Sequence, residues 1–200
     1  MTTQYEKIIR ENLSQGFSRL SRDLAGQLGA RPYHGGFRFQ AFGEDCCVFP
    51  QEIRFSGEPS VGPRGLLVSL YVLHGREEEP RLRPFWAFKE SPGSMPYQAA
   101  FRANTEQVLV PYTRAIRERK KAVKTAFDGF EGEDGDFSLV LYPLPNIALY
   151  YIFYLPDEDF PASATALFSA NALAFMPLDG LADVAEYTSK KMITLLCLSG

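Results

Sequence analysis

The sequence predicts an α+β fold, a mainly antiparallel sheet of about four to five strands packed by long helices, in a single globular domain over residues 1–200. Three observations predict it: an apolar stripe at helical spacing near the N-terminus, two pairs of apolar runs around turn residues, and no regular strand–helix–strand alternation. Composition agrees. Hydrophobic residues make up 46% of the 200, with 16 Phe and 10 Tyr, so there is ample apolar surface for one core.

Ile9, Leu13, Phe17, Leu20, Leu24 and Leu28 recur at steps of four and three, which predicts one helix over residues 4–28. Thr3 with Glu6 fits a capping box at its start, and Gly29 followed by Pro32 fits its stop. Phe37, Phe39 and the run 48–55 read as two strands of a hairpin around Gly43, Glu44 and Asp45. Leu66, Leu67, Leu70, Tyr71 and His74 favour a buried helix over residues 66–73. The segment 76–84, rich in Glu, Arg and Pro, reads as a surface loop.

Leu109, Tyr112, Ile116, Val123 and Phe127 mark a second long helix over residues 97–127. Residues 137–142 and 147–155, joined through Pro143-Leu144-Pro145-Asn146, make a second hairpin; their unbroken apolar character predicts central strands covered on both faces. Residues 165–168 add a short strand. Leu181, Ala185, Thr188, Met192 and Leu195 predict a C-terminal helix opening near Pro177.

Several function classes are disfavoured by what the chain carries. A net charge of −3 supplies no long-range field toward nucleic acid or an anionic membrane. No run approaches the length of a membrane span, and the first ten residues are charged, so the expected location is the cytoplasm. Three cysteines, two of them adjacent, form no disulfide framework. Cys46 and Cys47 would face opposite sides of a strand, which favours packing over a metal or redox pair. His34 and His74 stand in unrelated segments, and residues 57–65 lack the Lys-Ser/Thr of a phosphate-binding loop. The basic run Arg114, Arg117, Arg119, Lys120, Lys121 and Lys124 reads as a solvated helix face, since no aromatics interleave with it. No cofactor is implied.

Two punctuated motifs remain. Residues 85–97 hold the single Trp86, a Lys89-Glu90 pair and a Pro-Gly turn leading to Tyr97. Residues 155–161 place Asp157, Glu158 and Asp159 in a proline-bracketed turn. Consecutive carboxylates can bind a hard cation or hold one proton by mutual repulsion, with Asp157 and Asp159 as the metal candidates. The plainer reading is a turn facing water, because neighbouring side chains diverge.

These two stretches also carry a family likeness. Trp86-Ala87-Phe88-Lys89-Glu90, Pro92-Gly93, Tyr97 and Phe101, then Pro143-Leu144-Pro145, Asp157-Glu158-Asp159-Phe160-Pro161-Ala162 and Ala166-Leu167-Phe168 resemble a prokaryotic domain family named only for its unknown function. The resemblance spans roughly residues 65–196, with the acidic-Phe-Pro motif its most specific part. It implies a setting in anaerobes, beside iron–sulfur and corrinoid-type modules to which such domains are sometimes fused. Two departures stand out: Leu167-Phe168-Ser169 replaces an expected Leu-Phe-Asp, and Lys89-Glu90-Ser91 an expected Arg-Glu-Leu.

The expected function is a stand-alone binding or accessory domain for a protein partner or small-molecule ligand. Its working surface would combine Trp86, Lys89, Glu90 and Tyr97 with Asp157, Glu158 and Asp159. The alternatives are a metal-assisted hydrolase using those three acids, and a structural subunit that docks an acidic surface through Lys121 and Lys124.

Overall fold

A computed structural model describes residues 3–19 and 24–197. Helix α1 (Gln4–Ser18) begins as its capping box dictates: Glu6 N–H donates to Thr3 Oγ1, and Thr3 N–H donates to the Glu6 carboxylate. Ile9 and Leu13 are buried, and Phe17 packs against the same core. The single helix expected over 4–28 is corrected. The α-helix ends at Ser18, whose hydroxyl turns back onto the Gln15 carbonyl and competes with the helical ladder. Leu24 and Leu28 are buried as the stripe predicts, but in and just after a separate turn, α2 (Leu24–Gln27); Leu20 lies outside the described residues. Gly29, expected to stop the long helix, follows α2 instead, at φ 58°.

Strands β1 (Arg31–Tyr33), β2 (Gly36–Ala41), β3 (Glu44–Val48), β4 (Ile53–Phe55) and β5 (Glu58–Pro59) form an antiparallel meander in chain order. One hairpin was expected here. Its turn is Phe42-Gly43 alone, with Glu44 and Asp45 already in β3, and residues 49–52 make a further turn closed by Phe49 N–H on the Glu52 carbonyl. His34-Gly35, Phe42-Gly43 and Ser56-Gly57 all have positive φ at both positions, the two-residue turn whose twist matches paired strands. Cys46 is buried and Cys47 is not, as alternation along β3 requires.

Helix α3 (Pro63–Leu73) covers the expected segment and packs on α1, where Asn12 Nδ2 donates to Ser69 Oγ in the interior. The approach is close enough that a Cβ on Gly16 would stand 2.9 Å from Val72 Cγ1. The 76–84 loop has no helix or strand, yet it is more than a surface loop. Leu82 and Phe85 pack on Val140, Ala148 and Tyr150 of the sheet described next, and Arg81 N–H donates to Asn171 Oδ1.

After β6 (Trp86–Ala87), the helix expected over 97–127 is broken into pieces. They are α4 (Gln98–Phe101), a π-helical turn (Arg102–Glu106), a 3₁₀ stretch (Gln107–Tyr112), α5 (Thr113–Glu118) and α6 (Lys120–Ala126). Pro111 explains part of this: it has no N–H to donate, and its ring crowds the carbonyl four residues back. Strands β7 (Phe130–Glu131), β8 (Phe137–Leu144), β9 (Ile147–Tyr154) and β10 (Ser163–Phe168) complete a second antiparallel sheet in the order β6-β10-β9-β8-β7. The β8–β9 hairpin is central and buried on both faces, with a turn of only Pro145-Asn146, because Leu144 already pairs with Ile147. Helix α7 (Leu178–Cys197) closes the structure.

The fold class is therefore α+β, with its strands divided between two sheets. One core runs through both. Phe42, at the tip of the β2–β3 hairpin, packs on Tyr187 of α7 at 4.7 Å between ring centroids, and its N–H donates to the Pro143 carbonyl. α7 also fixes the π turn: Ser189 Oγ donates to the Thr105 carbonyl, and Asn104 Nδ2 donates to the Glu186 carboxylate. Among the described residues, no helix is long and apolar enough to cross a membrane.

Candidate functional site

The π turn places Glu106 against β10. Its carboxylate accepts a hydrogen bond from the Ala166 N–H at 3.1 Å. Beside this contact a groove of about 850 Å³ runs between β10 and the broken helix, within the range of roughly 300–1,000 Å³ usual for ligand clefts. One wall is strand backbone with small side chains, residues 162–165; the other carries Lys89, Arg102 and Glu106 over an apolar floor that includes Phe88 and Phe101. Phe88 and Phe101 stack at 4.3 Å between centroids, which makes that floor rigid.

Burial pushes the Glu106 carboxyl above its ordinary value, and the Ala166 N–H, Arg102 and Lys89 only partly oppose that. Lys89 and Arg102 are exposed, and neither has an ion-pair partner within 4.0 Å among the described residues. The groove thus offers a half-buried carboxyl flanked by two exposed cations that form no close ion pair among the described residues. A second groove, of about 860 Å³, lies where β1 and β2 meet the β8–β9 turn. There Arg38 and Asp45 already satisfy each other at 2.6 Å.

The motif residues are spread along this region. Trp86 is half-buried, stacked on Phe168 at 5.0 Å, with its Nε1–H donating to the Ser169 carbonyl. Glu90 turns back to accept from the Ala87 N–H, closing the 3₁₀ turn Phe88–Glu90. Tyr97 is exposed at the mouth of the broken helix, and Lys89 lines the groove. In the second motif, Asp157 Oδ1 accepts from the N–H groups of Asp159 and Phe160, an Asx-type turn facing water. Glu158 and Asp159 are exposed beside it. Lys89 and Pro161 line one groove, so the two motifs meet there by their flanks; the three carboxylates are not among its lining residues. Trp86 pairs with Phe168 at the opposite end of β10 from Ser163, about 17 Å away at the rise of a strand.

Among the described residues, no three His, Cys, Asp or Glu side chains are grouped to hold a metal ion. Of the basic run, Lys120 and Lys124 both bind Glu131, whose carboxyl they hold down at about 2.

A family model described as a domain of unknown function, DUF3786, matches residues 21–191. The chain belongs to that family. The DUF3786 match begins well before the 65–196 span of the motif resemblance and so takes in the β1–β5 meander. No curated protein and no solved structure matches the chain. The site therefore has to be read from its own geometry.

Two groove residues escape the motif reading, Arg102 and Glu106. Their four-residue spacing on a long helix is that of an ordinary surface pair, which conceals them. The available signal was Pro111: a helix that must break there has displaced carbonyls and re-aimed side chains upstream.

Proposed function

We propose that this DUF3786 chain is a non-catalytic binding module whose working surface is the groove between β10 and the broken helix. The observation that carries the reading is Glu106, half-buried on the strand edge and flanked by Lys89 and Arg102, neither of which has an ion-pair partner within 4.0 Å among the described residues. Such a site selects an anionic ligand by charge and excludes apolar ones that would strand its polar groups. Three free cysteines support a cytoplasmic setting. A prokaryotic origin and an accessory role near iron–sulfur or corrinoid metabolism are what the motif resemblance implies.

The hydrolase alternative draws no support from the acidic turn, because Asp157 is spent on backbone N–H groups. The structural-subunit alternative loses part of its cationic face to Glu131.

The test is thermal melting of the full chain and of a Lys89→Glu/Arg102→Glu variant against succinate, glutarate and acidic heptapeptides. At a hundredfold excess over Kd, a ligand of the folded state raises the midpoint by roughly 5–10 °C for a chain of this size. The reading expects such a rise with at least one probe and its loss in the charge-reversed variant. Equal shifts in both proteins, or none in either, would refute it.

A further inference from the structure

The groove wall formed by β10 is an open strand edge. β6 pairs only with Leu167 and Phe168, so among the described residues no strand lies beside residues 163–166 on that side. The direction of their polar groups follows from the register. Ser169 N–H donates to the Ala148 carbonyl of β9, and the β10–β9 pairing continues without a break from there back to Ser163 and Tyr154. Odd-numbered residues of β10 therefore bond to β9, and even-numbered ones turn both backbone groups the other way. Ala166 confirms the parity, since its N–H goes to Glu106. Ala164 thus presents both its N–H and its carbonyl to the groove; Ala166, 1% exposed, gives its N–H to Glu106 and turns its carbonyl toward β6 beside the Leu167–Ala87 pair.

Proteins normally blunt such an edge with an inward charge, a proline, a bulge or a covering loop. Here the Glu106 carboxylate occupies only the Ala166 position, where a neighbouring strand would place a carbonyl. The residues that line the groove without a strand beside them are Ser163, Ala164 and Thr165, small enough for another backbone to approach. Three residues of strand give about 10 Å of edge.

We infer that the occupant is an extended, acidic segment of a protein partner that adds as a strand along residues 163–165. This rests on the groove being the working surface and names what fills it. Main-chain hydrogen bonds to both backbone groups of Ala164 supply the docking, and side chains of the segment supply selectivity. Lys89 and Arg102 choose acidic side chains. Phe160 and Tyr97 are 71% and 45% exposed and adjoin the groove residues Pro161 and Gln98, an apolar rim suited to a polypeptide and superfluous for a small anion.

The test pans a displayed random-heptapeptide library on the full chain and then measures the selected peptide by fluorescence anisotropy. Acidic, extended sequences are expected. Lys89→Glu/Arg102→Glu should weaken the peptide about tenfold or more, with an unchanged melting curve showing that the variant folds. N-methylation of the peptide at alternate residues should weaken it about tenfold in one phase and hardly at all in the other, because only every second residue faces β10. No enrichment, basic sequences, or equal effects of both methylation phases overturn strand addition. Self-association that disappears in the charge-reversed variant would make the occupant a second copy and also overturn it. A succinate or glutarate shift in melting, with no peptide selected, refutes strand addition while leaving the groove-binding reading intact.

Discussion

Glu106 accepts the Ala166 amide proton at 3.1 Å across 60 residues of sequence, joining the π turn of the broken helix to the edge of the second sheet. Burial raises the carboxyl, so the folded protein binds this proton more tightly than the unfolded chain does. The contribution to stability is then complete below the unfolded value and is lost as pH rises through the folded one. Glu106→Gln keeps an acceptor for Ala166 without the charge. Its melting midpoint should match the parent in acid and exceed it by a few degrees at neutral pH, on the order of 1 kcal/mol after screening. A variant less stable than the parent at pH 7 would contradict this.

One residue earlier, Thr105 Oγ1 is buried without a hydrogen-bond partner among the described residues, although its carbonyl is taken by Ser189. Thr105→Val replaces the hydroxyl by a methyl of similar shape. Urea denaturation should show a gain of about 1 kcal/mol, since an unsatisfied polar group is removed. A loss would mean that the hydroxyl has a partner.

Tyr71 is fully buried; its hydroxyl donates to the Leu28 carbonyl and accepts from the Asn146 N–H. It ties α3, the end of α2 and the β8–β9 turn together. Tyr71→Phe leaves two buried backbone groups unpaired and should cost about 1–3 kcal/mol in chemical denaturation. A cost below about 0.5 kcal/mol would show that the turn relaxes to satisfy them.

The cysteines should separate by reactivity. Burial pushes the Cys46 thiol far up, burial also raises Cys47, and Cys197 is exposed. Since the thiolate is the nucleophile, iodoacetamide followed by mass spectrometry should find Cys197 labelled first, Cys47 later and Cys46 only on unfolding. Early labelling of Cys46 would contradict the packing of β3.

Legibility in the sequence followed the range of the forces involved. Thr3 with Glu6, the α3 stripe and the apolar β8–β9 pair are local patterns, and each was read correctly. The X-Gly turns were present as His34-Gly35 and Ser56-Gly57, but a single hairpin was read where a meander stands. The continuous stripe over 97–127 concealed the break, because apolar spacing survives a π turn while the hydrogen bonds do not. Lys89 stands out in its motif and lines the groove. Glu106 was missed because its burial comes from β10, 60 residues away, and no local pattern encodes that.

Amide hydrogen exchange at Ala164 and Thr165, resolved by NMR with and without the selected acidic peptide, tests the central claim most directly. The open-edge account predicts that in the free protein Ala164 exchanges at least about a hundredfold faster than Thr165, which bonds to β9, and that peptide slows Ala164 alone. Equal protection of the two amides in the free protein, or no change at Ala164 on binding, would contradict it.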